Sequence, residues 1–213
     1  MKKHALIVAG GWSGHQPEQV ARLLAEALAE RNFSTRIETD LEILADRSTL
    51  DSLDVLVPCW TMGSLTDLQT KSLTDAVRDG LGLAGCHGGM GDAFRGNLDY
   101  EWMVGGHFVG HPHVGDYTVR RRADHPAMRQ FPEVLAYRSE QYYMLIDPAI
   151  EVLADTEYTY EGHTCTMPVV WTKTWGRGRV FYSALGHALE EFNHYPAVLA
   201  MTADGIAWAA RSP

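Results

Sequence analysis

The sequence has few cysteines, and none of them is paired at the spacing of a redox or metal site. Its 213 residues include three cysteines, Cys59, Cys86 and Cys165, and no CxxC motif. Three isolated cysteines form no disulfide framework, and such usage is typical of a reducing compartment. The sequence therefore predicts a cytoplasmic protein without structural disulfides.

Long apolar runs and clusters of positive charge are also missing. The first apolar run, residues 5–9, is too short for a signal peptide, and no stretch approaches the roughly 18 apolar residues of a membrane span. The formal net charge is −9, and residues 120–122 form the longest basic run. An acidic chain of this kind is poorly suited to nucleic acid or an anionic membrane. We expect neither as a partner.

Apolar side chains and histidines, in contrast, are abundant. Hydrophobic residues make up 46% of the chain, which is enough for a sizeable core. The length favours one domain over residues 1–213. Ten histidines are more than packing alone requires, and several lie in glycine-rich segments. The histidines are therefore the first candidates for a functional site.

Strands and helices alternate through the first part of the chain. Residues 5–9 form a continuous apolar run, typical of a strand buried on both faces of a parallel sheet. Apolar residues recur at helical spacing after Pro17, and Thr66–Gln69 has the pattern of a capping box that begins another helix. This alternation predicts a doubly wound, mostly parallel α/β sheet of the flavodoxin type. The strands expected in this part are residues 5–9, 35–39, 53–58 and 81–85.

The second part of the chain predicts an antiparallel β extension of that sheet. Residues 105–113 combine glycine, histidine and proline, and we expect a loop there. Residues 176–179 are typical of a hairpin turn before the last strand, and Pro196 begins a closing helix that runs through Ala210. The short strands expected here are residues 117–122, 142–146, 151–155, 168–172 and 179–183.

The stretch from Leu81 to Asp92 resembles a nucleophile elbow, a sharp strand-to-helix turn with small residues around its tip. In open α/β folds such a turn lies at the carboxyl edge of the sheet, where ligands bind. Two registers fit, one with Cys86 at the tip and one with His87. A thiol nucleophile needs a nearby base and a lowered pKa. An imidazole serves as an acid, a base or a metal ligand.

Other polar side chains are candidates for the same edge. His187 follows the last expected strand, and Glu140 leads into an aromatic strand in which Tyr142 has a ring suited to stacking on a sugar. Asp92 either caps the next helix or takes part in the site. Glutamine amidotransferases pair their elbow cysteine with a late His-x-Glu, and here one residue too many separates His187 from Glu190. A Cys–His–Glu triad is therefore disfavoured.

A histidine cluster raises the question of a metal. His107, His111 and His113 have HxxxH and HxH spacing, which on a helix would suit zinc. The surrounding glycines and proline argue against a helix, so a metal would need a subset of these histidines together with His15, His87 or His187. A divalent metal such as zinc is a candidate cofactor on this pattern.

Taken together, these segments resemble the ThuA-like, trehalose-utilisation family, whose fold is that of the class I glutamine amidotransferases. The resemblance runs through most of the chain, and its two most specific elements are the GHP segment and the last segment. The residues that carry it are Gly10–His15, Gly85–His87 with Asp92, Gly106–Pro112, Asp124–Pro126, Glu140 with Tyr142, and Gly178–His187.

The resemblance implies that His87 holds the elbow position and that Cys86 is incidental. It further implies work on trehalose-like disaccharides or their oxidised 3-keto forms. His107 and His113 are specific to this sequence. The site residues implied by the family are His15, His87, Asp92, His111, Glu140 and His187.

We therefore expect a pocket in which His87 and Glu140 act as an acid–base pair on a small sugar ligand, while His187 orients the ligand or holds a metal. His15, Asp92, His111 and Tyr142 would bind the ligand. Two alternatives stay open, namely a thiol-dependent amidotransferase or hydrolase that uses Cys86, and a carbohydrate-binding protein without turnover. The aromatic residues Trp102 and Phe108 either line the pocket or form the contact of a homo-oligomer.

Overall fold

The structure is a computed structural model that describes residues 2–211. Within this range nine strands form one mixed sheet in the order β2-β1-β3-β4-β9-β8-β7-β5-β6. The strands are β1 (Lys3–Gly11), β2 (Phe33–Glu38), β3 (Val55–Thr61), β4 (Gly82–Cys86), β5 (Gly106–Arg121), β6 (Val134–Ile146), β7 (Glu151–Tyr160), β8 (His163–Trp175) and β9 (Gly178–Ser183). The helices are α1 (Pro17–Ala29), α2 (Arg47–Asp51), α3 (Asp67–Arg78), α4 (His87–Gly91), α5 (Leu98–Val104), α6 (Leu189–His194) and α7 (Pro196–Ala209).

Strands β2, β1, β3, β4 and β9 are parallel, which confirms the doubly wound sheet. The middle of β1 is completely buried, as its apolar run predicts. The strand order 2-1-3 places a topological switch point between β1 and β3, and ligands bind outside the carboxyl ends of strands at such a point. The carboxyl ends of β1, β3, β4 and β9 therefore mark the edge at which a site is expected.

Strands β9, β8, β7, β5 and β6 pair antiparallel, which confirms the predicted extension. The expectation of a loop at residues 105–113 is wrong. Gly105 ends α5 with φ 93°, and the following residues form the first half of the long strand β5. Its pairing with β6 is irregular between Phe108 and His113, so bulges accommodate the glycine and proline that argued for a loop.

The structure confirms the predicted starts of α3 and α7. At the start of α3, Thr66 Oγ1 accepts a hydrogen bond from the Gln69 amide (3.2 Å), and Gln69 Oε1 accepts one from the Thr66 amide (2.8 Å). This is the capping box read from the sequence. Helix α7 begins at Pro196, and its Trp208 is half-buried, edge-on to His125 with ring centroids 4.6 Å apart.

The expected domain covers residues 1–213, of which Met1, Ser212 and Pro213 lie outside the described residues. Buried apolar side chains form a continuous core from β1 to α7. Among residues 2–211, no helix has the length and apolar character needed to cross a membrane.

Candidate functional site

The elbow places His87 at its tip. Strand β4 ends at Cys86, and His87 has φ 47°, in the left-handed region that costs strain for a residue with a side chain. The next residue is Gly88, and a larger residue would not fit there, because its Cβ would lie 2.4 Å from the ring of His15. The turn thus keeps one imidazole at its tip and leaves room for a second.

Four metal-ligating side chains converge above this tip. One ligand atom each of His15, His87, Glu140 and His187 lies within 4.8 Å of all the others. The ring centroids of the three histidines are 4.8 to 5.1 Å apart. Glu140 Oε2 lies 3.6 Å from His87 Nε2 and 3.4 Å from His187 Nδ1. Imidazoles from distant parts of the chain therefore share one small volume.

The topology explains this convergence. His15 ends the 3-10 turn after β1, His87 follows β4, and His187 follows β9, so each imidazole comes from the carboxyl end of a parallel strand. Glu140 lies within β6, and the long β5–β6 hairpin brings it back over the same edge. His111, on β5, accompanies it with Nε2 3.6 Å from Glu140 Oε1.

Two neighbouring hydroxyl groups orient the buried imidazoles. His15 Nδ1 is 2.7 Å from Thr61 Oγ1, and His87 Nδ1 is 2.9 Å from Tyr142 Oη. Within the site, His87 Nε2 and His187 Nδ1 are buried ring nitrogens that form no hydrogen bond of good geometry with any described residue, although Glu140 Oε2 lies 3.6 and 3.4 Å from them. A buried polar atom that forms no hydrogen bond is costly, and a bound ion would satisfy both nitrogens. Hydrogen bonds to the far ring nitrogen are typical of metal-binding histidines.

Burial and mutual repulsion keep two of the imidazoles neutral. Burial, followed by the nearby His187, lowers the pKa of His15 to about 4. Burial, with His15 next in importance, lowers the pKa of His87 well below its ordinary value. Contact with Glu140 raises the pKa of His187. Burial raises the pKa of Glu140, but the contact with His187 and the charges of the other imidazoles outweigh it, so that the net shift is downward.

This donor set fits a divalent metal. Neutral imidazole nitrogens and a carboxylate oxygen are the ligands that zinc takes in catalytic sites, commonly as three protein ligands with one open position. The two unpartnered ring nitrogens face the volume that an ion would fill. The imidazoles of His15, His87 and His187 are accordingly positioned to hold it, with the Glu140 carboxylate beside them.

The inner cavity, as we call the space beside these four residues, has a volume of about 180 Å³. Asp92 is buried in its wall, where its carboxylate forms a bidentate ion pair with Arg95 (2.5 and 2.8 Å). Asp92 does not cap the helix that follows it, since Asn97 accepts the hydrogen bond at the start of α5. The lining residues are Trp12, His15, Thr61, Met62, Asp92, Arg95, Phe108, His111, Glu140 and Tyr142.

Three of the other candidates lie apart from the inner cavity. His107 Nδ1 lies 3.4 Å from a carboxylate oxygen of Glu101, and His113 contacts the Asp116 carbonyl oxygen at 3.2 Å. Trp102 is exposed on the surface, whereas Phe108 lines the cavity. The structure thus separates His107 and His113 from His111, although all three belong to β5.

Cys86 is enclosed by the fold. Its thiol is buried, and burial raises its pKa, with the nearby Cys59 adding to the effect. A thiolate nucleophile needs the opposite environment. The geometry therefore speaks against the thiol-dependent alternative.

Sequence reasoning missed residues that shape the site without being histidines. Glu191 accepts hydrogen bonds from the His187 amide (3.0 Å), Tyr137 Oη (2.5 Å) and Ser139 Oγ (2.5 Å), which ties the His187 loop to β6. The acidic residue that follows His187 and binds it is thus Glu191, whose carboxylate accepts a hydrogen bond from the His187 backbone amide. Thr61, at the end of β3, and Arg95, after the elbow, were also missed. Their positions in the chain are the only sequence features that point to them.

A pH-dependent stability follows from the buried neutral His15. Because its pKa is about 4 in the folded chain against 6.5 as the ordinary value, the unfolded chain binds more protons between these pH values. Folding stability therefore falls as the pH drops from about 6.5 toward 4, by up to about 3 kcal/mol for this group. Urea unfolding of metal-free protein at pH 7 and pH 4.5 measures the effect. The same comparison for His15→Gln should show a smaller loss, and an equal loss would contradict the assignment.

The fold and the site define a flavodoxin-like α/β protein whose strand-to-helix elbow carries the imidazole of His87 at its tip. The model of the ThuA family, described as trehalose utilisation, matches residues 4–209. The chain belongs to the ThuA family, and this confirms the resemblance read from its motifs and gives the chain a role in sugar metabolism. No match was found among curated proteins.

Solved structures agree with this assignment at the level of the fold. A ThuA-like protein from Bacteroides uniformis is 18% identical with a TM-score of 0.79, and the match covers 97% of this chain and 91% of that one. One from Parabacteroides merdae is also 18% identical, with a TM-score of 0.78 and coverage of 98% and 90%. A cytoplasmic protein from Salmonella typhimurium is 12% identical, with a TM-score of 0.71 and full coverage of both chains.

Proposed function

We propose that the protein is a metal-dependent enzyme that acts on trehalose-like disaccharides or their 3-keto derivatives. The observation that carries this proposal is the convergence of His15, His87, His187 and Glu140 within 4.8 Å, with two buried ring nitrogens that lack partners. A catalytic metal needs an open position for substrate, and four protein ligands would close a tetrahedral zinc site. We therefore assign the three imidazoles to the metal and leave Glu140 for proton transfer.

A bound divalent metal would supply Lewis-acid activation of a substrate oxygen. Glu140 lies beside the same volume, and its lowered pKa keeps it ionised at neutral pH. On a 3-keto sugar it takes a proton from the carbon next to the carbonyl, so that the C–H electron pair forms a C=C bond and the carbonyl π pair moves onto the carbonyl oxygen. His111 contacts the other oxygen of Glu140 and is exposed to solvent, so it is placed to pass the proton on.

The cavity wall supports a sugar as the ligand. Trp12, Phe108 and Tyr142 offer apolar faces, and Arg95 and Thr61 offer polar groups. Small-molecule sites combine such faces with a few directed polar groups. Membership in the trehalose-utilisation family supports the same class of ligand.

Chelation tests the proposal as a whole. We expect the purified protein to convert 3-keto-trehalose, to lose this activity after dialysis against a chelator, and to regain it on addition of Zn²⁺, Mn²⁺ or Co²⁺. Activity that survives complete removal of metal would leave His87 and Glu140 as a metal-free acid–base pair. Binding of the sugar without any turnover, with or without metal, would favour the carbohydrate-binding alternative.

Removal of the Cys86 thiol is expected to leave the reaction intact. The thiol is buried with a raised pKa, and the site uses neither its charge nor its hydrogen bonds. Cys86→Ala should therefore keep kcat/KM within about twofold, with a stability loss of about 1 kcal/mol for the small cavity. Steady-state kinetics and thermal melting measure both. A folded variant without activity would restore the thiol-dependent alternative.

A further inference from the structure

A second concavity adjoins the inner cavity. This outer groove has a volume of about 560 Å³ and lies between the starts of α3 and α5. Arg95 lines both spaces. The groove is lined by Ser64, Leu65, Asp67, Thr70, Phe94, Arg95, Gly96, Asn97, Leu98 and Asp99.

Two hydrogen-bonded chain segments connect the spaces. The Met62 amide donates to the Asp92 carbonyl (2.9 Å), and the Gly63 amide donates to the Ala93 carbonyl (2.6 Å). Each segment begins at the inner cavity and continues into the groove, from Met62 to Ser64 and from Asp92 to Arg95. The inner cavity and the outer groove therefore share one continuous wall.

The volumes indicate that a ligand extends from one space into the other. The inner cavity of about 180 Å³ is smaller than the roughly 300 Å³ at which ligand pockets ordinarily begin. It suits only part of a disaccharide. The outer groove supplies the remaining space directly beside it.

The chemistry of the groove suits an uncharged ligand rich in hydroxyl groups. Its wall combines Arg95, whose charge is paired with Asp92, with the carboxylates of Asp67 and Asp99 and the amide of Asn97, which are groups that hydrogen-bond hydroxyls and repel an anion. Asp92 binds the Nε and Nη2 atoms of Arg95 and fixes the guanidinium, which leaves its Nη1 group outside this ion pair. Thr70 Oγ1 accepts a hydrogen bond from Asn97 (2.7 Å) and keeps its own proton for donation.

We propose that the outer groove binds the second ring of a disaccharide whose first ring lies in the inner cavity, with Arg95 contacting both rings. This inference rests on the proposed function, since it takes the ligand to be a sugar. On this basis the protein selects disaccharides over simple glycosides, and the contacts that make this selection lie beside Arg95.

Filling the groove tests the proposal. Ser64→Trp places a bulky ring in the groove, and Ser34→Trp, in a groove beside β2 remote from the elbow, is the matched control. We would measure kcat/KM for 3-keto-trehalose and for methyl 3-keto-glucoside with the wild-type chain and with each of the two variants. Ser64→Trp should lower the disaccharide-to-methyl-glycoside ratio about tenfold, which corresponds to about 1.4 kcal/mol of lost binding. An unchanged ratio, or the same fall in Ser34→Trp, would overturn the proposal.

Calorimetry separates a failure of the groove from a failure of the function. If the wild-type chain turns over neither substrate, the proposed activity fails, but the binding of trehalose still reports on the groove. Weaker trehalose binding in Ser64→Trp alone would support the groove. Equal binding by all three proteins, or none by the wild type, would overturn it.

Discussion

Replacing Glu140 with glutamine is expected to lower kcat/KM by about 10²- to 10⁴-fold while the metal stays bound. The amide has nearly the shape of the carboxylate, so the packing against His87 and His187 is kept. It has no basic oxygen, however, whereas the Glu140 carboxylate is ionised and contacts His87 and His187. Steady-state kinetics together with metal analysis of the same preparation provide the measurement.

The control for this variant is Glu18→Gln, which changes an exposed glutamate on α1 that pairs with Arg22. It should leave both metal content and activity unchanged. If Glu140→Gln lost the metal together with the activity, Glu140 would be a ligand, and the assignment of proton transfer to it would be wrong.

Replacing His87 with alanine is expected to remove the metal. The imidazole sits at the elbow tip with Nε2 toward the other ligands, so the variant loses one of three proposed metal ligands. Loss of an outer-shell partner alone typically costs 10- to 100-fold in metal affinity, and we expect loss of a ligand to exceed about 100-fold. Competition with a chromophoric chelator measures the affinity, and activity should fall in parallel.

His107→Ala is the matched control, because His107 pairs with Glu101 outside the inner cavity. Circular dichroism of both variants checks that the fold is kept. A folded His87→Ala variant with full metal affinity and no activity would point to His87 as the acid–base partner of Glu140, as the sequence alone suggested.

The parallel half of the fold could be predicted because its signals are local. The apolar run at residues 5–9 reports burial on both faces, and the Thr66–Gln69 box fixes a helix start within a few residues. The glycines around residues 85–89 mark the elbow by the close approach that they permit. Each of these features is determined by a few neighbouring residues, so it can be predicted from the local sequence.

The antiparallel half could not be predicted as well, because its strands are decided by distant partners. Residues 106–113 contain glycines and a proline and become a strand through pairing with β6, some thirty residues further on. Backbone pairing across such a distance overrides local preference. The same hairpin brings in Glu140, so no local spacing in the sequence places its carboxylate beside the imidazoles.

Details of the site also depended on tertiary contacts. The choice between Cys86 and His87 at the elbow was open from the pattern, and in the structure it is His87 that has the left-handed backbone. The ion pair of Asp92 with Arg95 and the contact of Glu191 with the His187 loop have no sequence signature of their own. Both become visible only once the strand ends meet.

The metal site can be observed by anomalous X-ray scattering from crystals grown with zinc. We expect one strong peak about 2.0 to 2.1 Å from a ring nitrogen of each of His15, His87 and His187. We also expect density for an added sugar on the open side of that ion. A cavity without a peak at saturating zinc, or an ion bound to other residues, would show that the three imidazoles are not metal ligands.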